Sequence, residues 1–226
     1  IQESDQPGII VNGDLDLDKC SAYPGLEPTW QSLISNGCQS IQADLAEMTG
    51  ANTILNLYQN LNFFSPPDLR LNVAQADPPD VEAQNALYSG EGTFNLTPLQ
   101  VALAASALTN QGILPAPRIV NGYQNSQGDW ITLPKLGQNI QAVDPDSSIW
   151  ITNLLEDSES PHWQIISVVN SEDNQNITWF VAGTVPNWQG QPTTVVVLLE
   201  SNSPDLAKEI GLTLLEQTIQ AAPIGQ

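Results

Sequence analysis

The sequence predicts an α+β fold in which an antiparallel sheet is flanked by helices. Helical periodicity dominates the first half of the chain, and segments rich in β-branched and aromatic residues fill the last third. At 226 residues the chain is long enough for one large domain with its own core. We therefore expect a single domain that comprises an irregular segment (1–28), a mostly helical part (29–112), and a sheet with a C-terminal helix (113–226).

Caps and apolar spacing predict two consecutive helices near the start of the helical part. Thr29 can cap a long helix whose apolar residues recur in steps of three and four as far as Met48. Gly50 lies where the C-terminal cap of that helix belongs. Asn52 can then cap a second, shorter helix.

A third helix has the clearest start signal in the chain. Thr97 can act as its N-cap, Pro98 suits the first helical position, and Gln100 completes a capping box. The Ala-rich body that follows predicts a buried helix. A hairpin with its turn over 125–128 and a short helix from Asp144 are predicted next.

The last third of the chain predicts an antiparallel sheet closed by a helix. Strands are expected over 164–169, 178–185 and 193–200. A sheet short of a strand leaves an edge that another chain can pair with, so homo-oligomerisation stays open. The final helix should begin near Ser203 and cover the sheet with an apolar stripe formed by Leu206, Ile210, Leu214 and Ala221.

The charge balance excludes several classes of partner. The chain has 25 acidic and 5 basic residues, a net charge of -20, yet only 13% of its residues are charged. Its polar surface must be built largely from the 21 Gln and 19 Asn side chains. Nucleic acids and anionic membrane surfaces need clustered Lys and Arg, so neither is expected as a partner.

Two cysteines, Cys20 and Cys38, are compatible with either a disulfide or two separate buried thiols. They lack the further Cys and His ligands of a zinc site. The aspartates at 14, 16 and 18 lack the Gly and distal Glu of a calcium loop. We therefore expect no metal and no cofactor.

Few side chains could act as a catalytic base. The chain has one histidine, His162, for which the sequence favours a surface or interface position. Among the three lysines, Lys19 and Lys135 lie in predicted loops, and Lys208 is expected on the solvent face of the last helix. None lies in an apolar run that would depress its pKa for such a role.

The order of several motifs resembles the transpeptidase domain of penicillin-binding proteins. That family reads G-Q-G, T-P-L-Q-x-A, an Ala-rich helix, A-N-G-G and, later, a W-F-V-G strand. The matching segments here are Gly90-Glu91-Gly92, Thr97-Pro98-Leu99-Gln100-Val101-Ala102, Thr109-Asn110-Gln111-Gly112 and Trp179-Phe180-Val181-Ala182-Gly183. The resemblance covers roughly residues 20–221 and implies the family's fold.

The residues that define the three catalytic motifs of active family members are replaced by others at the corresponding places in this chain. The resemblance implies an acylated Ser and a Lys in S-x-x-K, a second Ser in S-x-N, and a cation with hydroxyls in K-T-G-T that recognise a carboxylate. At the corresponding places this chain has Ile9 and Asn12, then Gly37, Cys38 and Gln39, then Val168, Val169, Asn170 and Ser171. We therefore expect these positions to form a vestigial cleft without catalytic residues.

The sequence leaves three functional interpretations. The first is a catalytically inactive transpeptidase-like domain, a binding or structural module outside the cytoplasm whose partner is a protein or a cell-wall ligand. The second is an active D,D-transpeptidase or carboxypeptidase whose S-x-x-K part lies upstream of Ile1. The third is an unrelated extracellular module that stacks sugars on tryptophans such as Trp188. Because the chain does not begin with Met, we expect that a signal or anchor has been removed.

Overall fold

The computed structural model describes residues 29–38, 48–69, 73, 96–134, 137–156, 160–170 and 175–221. Helices and strands alternate in the order expected for an α+β domain. The helices are α1 (Trp30–Ser35), α2 (Ala51–Asn60), α3 (Pro98–Thr109), α4 (Pro145–Leu155) and α5 (Pro204–Ala221). The strands are β1 (Ile113–Leu114), β2 (Gly122–Gln124), β3 (Trp130–Thr132), β4 (Ile140–Gln141), β5 (His162–Asn170), β6 (Asn176–Thr184) and β7 (Thr194–Leu199).

The main sheet is antiparallel, as predicted, with the strand order β5-β6-β7. Ile166 is opposite Phe180 in the first pair of strands, and Phe180 is opposite Val197 in the second. Side chains alternate between the two faces of a strand, so Ile166, Phe180 and Val197 share one face. Two smaller antiparallel pairs, β1 with β4 and β2 with β3, lie outside this sheet.

Helices cover both faces of the sheet. On one face α5 packs its Ala207 and Leu215 against Phe180, and all three side chains are fully buried. On the other face Trp163, also fully buried, packs against residues of α1, α3 and α4, including Ile34, Ala105 and Leu155. The core is therefore a three-layer arrangement with the sheet in the middle.

The start of α3 confirms the predicted cap. The Thr97 hydroxyl accepts a hydrogen bond from the Gln100 amide N–H at 3.2 Å, and the Gln100 side chain accepts one from the Thr97 N–H at 3.2 Å. Gln100 is also buried, and its Nε2 donates to the Phe63 carbonyl at 2.7 Å. The predicted cap at Asp144 is confirmed in the same way, since its side chain accepts from the Ser147 N–H at 3.0 Å.

The long helix predicted from Thr29 to Met48 is wrong, because α1 ends at Ser35. Gly37 adopts φ +60°, and its N–H donates to the Ile34 carbonyl at 3.1 Å. The Cys38 N–H donates to the Leu33 carbonyl at 2.9 Å. These two bonds form a Schellman motif, which stops the helix at the Asn-Gly pair.

The boundary between the next two helical segments also differs from the prediction. Met48 and Thr49 are helical, and Gly50 follows with φ +81°, as expected for a glycine that ends a helix. However, Gly50 is also the N-cap residue of α2, which begins at Ala51, so Asn52 lies inside the helix rather than at its cap.

The buried stripe of α5 is shifted by one residue from the predicted one. Leu206 and Leu214 are 50% and 47% exposed, whereas Ala207, Gly211 and Leu215 face the sheet. A Cβ on residue 211 would lie 2.2 Å from the nearest ring atom of Phe180, so only glycine allows this approach. The packing face is therefore centred on Ala207, Gly211 and Leu215, and of the predicted stripe Ile210 is partly buried against the same core.

Candidate functional site

The end of α1 contacts strand β5 at the position where the second catalytic motif was predicted. A Cβ atom on Gly37 would lie 2.7 Å from both Cβ and Oγ of Ser167 and 3.2 Å from the Ile166 carbonyl oxygen. Real Cβ atoms essentially never approach other atoms within 3.0 Å. The backbone of residue 37 therefore packs directly on β5, and no side chain fits between them.

The backbone conformation of Gly37 imposes the same restriction. Its φ of +60° lies in the left-handed region, which costs about 1–2 kcal/mol for a residue with a Cβ. A serine at this position would be strained and would collide with Ser167. The Schellman motif and the close contact together explain why residue 37 is a glycine.

The predicted third-motif residues follow Ser167 along β5. By strand alternation Val168 lies on the face covered by α5, opposite Thr178, whereas Ser167 lies on the face that meets α1. Val169 is 43% exposed and Asn170 is also exposed. The contact with Gly37 is thus made one residue before the predicted set. Gln39 and Ser171 lie outside the described residues, as do Ile9 and Asn12.

Cys38 is fully buried and disulfide-bonded. The chain has one other cysteine, Cys20, which lies outside the described residues. The disulfide is attached directly after Gly37, so it anchors the turn that contacts β5. A disulfide-bonded Cys38 offers no thiolate for nucleophilic catalysis.

His162 was predicted at a surface or interface, and this is wrong because its side chain is only 4% exposed. Strand β5 begins at His162 itself, two residues earlier than expected, so the side chain is enclosed by the sheet. Along a strand, five residues span about 16 Å, and alternation places His162 and Ser167 on opposite faces. His162 therefore cannot activate the Ser167 hydroxyl.

A large cavity lies on the α3–α4 side of the sheet, with a volume of about 1100 Å³. Its walls are mainly apolar and include Leu57, Val101, Leu108, Ile151 and Trp163. Asp146 and Ser147 also border it, but no Lys or His is among its described lining residues. The Ser147 hydroxyl donates to the Asp144 carboxylate at 3.3 Å as part of the α4 cap.

A second, smaller cavity of about 220 Å³ lies between the end of α1, strand β5 and α5. Lys208 lines it and is half-buried, which contradicts the predicted solvent-facing position. The cause is the shifted stripe of α5, because turning Ala207 and Gly211 toward the sheet also turns Lys208 toward β5. Asn36, which immediately precedes Gly37, also lines this cavity.

The described residues contain no group of three or more His, Cys, Asp or Glu side chains that could hold a metal ion. The aspartates at 14, 16 and 18 lie outside the described residues. Of the helices in the described ranges, none is long and apolar enough to cross a membrane.

The family model of the penicillin-binding protein transpeptidase domain matches residues 14–213. The chain belongs to this family. The match confirms the resemblance predicted from the T-P-L-Q segment, and it overturns the interpretation of the chain as an unrelated extracellular module.

Related proteins define the fold more closely. The chain is 27% identical over 140 residues to the peptidoglycan D,D-transpeptidase PbpA of Mycolicibacterium smegmatis, an alignment that covers 60% of this chain and 28% of that protein. The penicillin G acyl-enzyme complex of M. tuberculosis penicillin-binding protein A superposes with a TM-score of 0.73 at 22% identity, covering 95% of this chain and 55% of that one. M. tuberculosis penicillin-binding protein 3 with aztreonam gives a TM-score of 0.69 at 14% identity, covering 91% of this chain and 55% of that one.

The fold is therefore that of a transpeptidase domain, and this chain spans about half the length, or less, of the relatives it matches. Sequence reasoning predicted one site formed by residues 37–39 and 168–171; the structure brings Gly37 to Ser167 of β5, and neither Ser167 nor Lys208 was among the predicted residues. The alternation of side chains along β5 could have predicted that Ser167 lies on the opposite face from Val168. The small residues Ala207 and Gly211 could have predicted that this side of α5, and with it Lys208, faces the sheet.

Proposed function

We propose that this domain is catalytically inactive and serves outside the cytoplasm as a binding or structural module of the cell wall. The observation that carries the proposal is the contact of Gly37 with Ser167, where a Cβ would approach to 2.7 Å. Acylation of a serine in this family depends on hydroxyls and cations that meet in one cleft. Here the place of one such hydroxyl is taken by a glycine with no room for a side chain.

The valines on β5 support the same conclusion. Val168 and Val169 stand where the resemblance implies the cation and hydroxyl that recognise a carboxylate. Neither valine offers a charge or a hydrogen-bond donor in its side chain. A nucleophile supplied from elsewhere in the chain would therefore lack both the hydroxyl of the second motif and the cation of the third. A family fold without its site residues keeps the scaffold and loses the reaction.

A fluorescent penicillin tests the proposal on the full-length protein. We expect no covalent label on a denaturing gel, even at long incubation. M. tuberculosis penicillin-binding protein A, which forms an acyl-enzyme with penicillin G, is the positive control. Saturable labelling that penicillin G competes away would show an active site and contradict the proposal.

The second candidate is an active peptidoglycan transpeptidase whose S-x-x-K part lies upstream. It is favoured by the family match and by a relative named as a D,D-transpeptidase. The same labelling experiment separates the two candidates, because only an active enzyme acquires the label. Gly37 and the valines of β5 argue against this candidate.

The extracytoplasmic location rests on the disulfide of Cys38 and on the family. Disulfides persist in oxidising compartments and are rare in the cytosol. Protein isolated from its native source under thiol-blocking conditions should therefore show no alkylated cysteine without prior reduction. Alkylation of Cys38 before reduction would contradict the proposed location. The net charge of -20 keeps nucleic acids and anionic membrane surfaces outside the proposed set of partners.

A further inference from the structure

The hairpin of β2 and β3 carries apolar side chains that lie in solvent. Trp130 is 74% exposed, and Ile119, Val120, Tyr123 and Ile131 are exposed as well. A tryptophan that is fully covered buries up to about 250 Å², so Trp130 leaves roughly 180 Å² of its surface uncovered. Contiguous apolar surface of this kind marks an interaction site.

An open trough of about 400 Å³ lies on this hairpin. Gly122 is opposite Thr132 in the register of the two strands, and Gln124 is opposite Trp130. Side chains alternate between the faces of a strand, so Gly122, Thr132 and Trp130 share one face. Because Gly122 has no side chain, it leaves a recess beside the projecting Trp130 indole. None of the described residues that line the trough is ionisable.

The outer edge of β3 presents backbone hydrogen-bonding groups. Among the described strands, β2 and β3 pair only with each other. The Leu133 N–H donates to the Asn121 carbonyl at 2.9 Å, which makes these two residues a hydrogen-bonded pair of the ladder. Such pairs alternate with non-bonded ones, so Trp130 and Thr132 direct their N–H and C=O groups away from β2. An edge of this kind is a template for another strand.

The two ends of β3 fix the register in which a second copy of this strand can pair with it. Pro134 has no N–H, and Gly128 adopts φ +91° in the hairpin turn, so the ladder is confined between them. With a two-fold axis at Ile131, Trp130 of one copy lies opposite Thr132 of the other. Each such pair then exchanges both of its N–H···O bonds.

The hairpin face is complementary to itself in this register. Beyond Thr132 of the second copy, Gly122 of that copy lies in the same row across the sheet. The Trp130 indole of each copy therefore lies over Thr132 and points toward the recess at Gly122 of the other. A symmetric dimer requires a patch of this kind, because both copies use the same surface.

The distribution of charge favours contact between copies at the hairpin over contact elsewhere. Two copies of a chain with a net charge of -20 repel each other. Residues 111–143 contain two basic residues and one acidic residue, a net charge of +1, so this part of the chain lacks the acidic excess. Two copies therefore meet with the least repulsion when their hairpins face each other.

The size of the patch sets the strength of the association. Stable specific interfaces bury about 800 Å² on each partner, and weak, transient ones bury less. The exposed surface of Trp130 supplies about a quarter of that area, and the other apolar side chains of the hairpin are smaller. We therefore expect a weak dimer that forms at high protein concentration.

We propose that two copies of this chain associate through their β2–β3 hairpins, with the two β3 strands paired antiparallel about Ile131. Trp130 of each copy packs over Thr132 and Gly122 of the other, and backbone hydrogen bonds join the two strands. This association goes beyond the proposed binding or structural role and is independent of whether the domain is active.

Sedimentation equilibrium of the full-length protein tests the association. The dimeric fraction should grow with protein concentration. Raising the ionic strength from about 0.01 M to about 1 M shortens the screening length from about 30 Å to about 3 Å, so the association constant should rise about tenfold or more. A monomer at every concentration and ionic strength would overturn the dimer.

Two substitutions remove hairpin contacts and leave the core intact. Trp130→Gln removes the projecting indole and should weaken association about tenfold or more, as expected for a central aromatic anchor. Thr132→Pro removes an N–H that points outward, which an edge strand tolerates, so it should abolish the pairing while circular dichroism stays unchanged. Trp150→Gln is the matched control, because Trp150 is 64% exposed and lies on α4, outside the hairpin. Association that is unchanged in Trp130→Gln, or equally weakened in Trp150→Gln, would contradict the assigned surface.

Amide hydrogen exchange locates the contact. Exchange at Trp130 and Thr132 should slow as the protein concentration rises, whereas Gly122 and Gln124, on the outer edge of β2, should exchange at a constant rate. Protection of Gly122 and Gln124 instead would contradict pairing through β3. Protection of Trp130 and Thr132 only after another protein is added would assign the hairpin to a different partner and would likewise overturn the dimer.

Discussion

The start of helix α3 matches the sequence pattern of the family, whereas the end of helix α1 departs from it. At α3 the T-P-L-Q segment is intact, and both of its polar side chains are used in the structure. Thr97 and Gln100 cap the helix, and Gln100 also binds the Phe63 carbonyl. At α1 the segment predicted to correspond to the second motif reads Gly37-Cys38-Gln39, and Gly37 packs against Ser167 without a side chain. The segment that identifies the family therefore has a structural role in this chain, whereas the end of α1 departs from the family pattern.

This difference separates two kinds of constraint. Loss of a buried cap or hydrogen bond costs stability in any protein with this fold, whether or not it is an enzyme. Loss of a catalytic hydroxyl would cost only the reaction. The proposed inactivity therefore predicts that residues of the first kind are present and residues of the second kind are absent.

Introducing a serine at Gly37 should have the largest effect on stability. Gly37→Ser adds about 1–2 kcal/mol of left-handed strain and about 1–3 kcal/mol of overpacking against Ser167. We expect the free energy of unfolding in urea to fall by about 2–5 kcal/mol, with no gain of penicillin labelling. Stability equal to that of the unmodified protein would mean that the cleft is open.

Two other glycines separate the strain from the collision. Gly128→Ser introduces strain without a collision, because φ is +91° and the atom nearest to a Cβ there, Gln124 Nε2, lies at 3.9 Å. It should cost only about 1–2 kcal/mol. If Gly128→Ser and Gly37→Ser cost the same, the contact with Ser167 contributes nothing.

Gly211→Ala tests a collision without strain, on the opposite face of the sheet. Helix propensity alone predicts a gain of about 1 kcal/mol, but the Phe180 ring should turn this into a loss of about 1–3 kcal/mol. In a double-mutant cycle, Phe180→Leu should relieve part of the cost. A stabilising Gly211→Ala, measured by urea unfolding, would contradict the close approach of α5.

Gln100→Ala probes the scaffold region. The buried Phe63 carbonyl would lose its donor, so we expect a loss of about 1–3 kcal/mol in unfolding free energy. Gln111→Ala is the matched control, because Gln111 is exposed and its bond to the Pro186 carbonyl is long, at 3.4 Å. An equal effect of the two substitutions would show that Gln100 has no special structural role.

Thr97→Ala should have the smallest effect of the series, a loss of about 1 kcal/mol from the α3 cap. Thr97→Ser keeps the hydroxyl and should restore most of it. A loss in Thr97→Ala that serine does not recover would place the effect outside the cap.

Elements whose residues act on their immediate neighbours could be predicted from the sequence. The α3 cap, the turn over 125–128 and the three strands of the main sheet follow from residues that act on their immediate neighbours. The Asn36-Gly37 pair is likewise a local signal for the end of a helix. The prediction nevertheless extended α1 to Met48, because it gave more weight to the apolar spacing beyond that pair.

Features that depend on tertiary packing could not be predicted in this way. The face of α5 is set by how closely Gly211 approaches Phe180, and a helical pattern read alone favours the larger Leu206 and Leu214. The half-buried position of Lys208 follows from that shift. The Ser167 contact likewise depends on where the end of α1 meets β5.

Intact-mass spectrometry of the full-length protein after prolonged exposure to excess penicillin G tests the proposed catalytic inactivity most directly. If the contact of Gly37 with Ser167 and the valines of β5 prevent acylation, as proposed, the protein should keep its unmodified mass at every time point. A mass increase of one penicillin molecule, saturable and absent from denatured protein, would contradict that conclusion and identify an active transpeptidase.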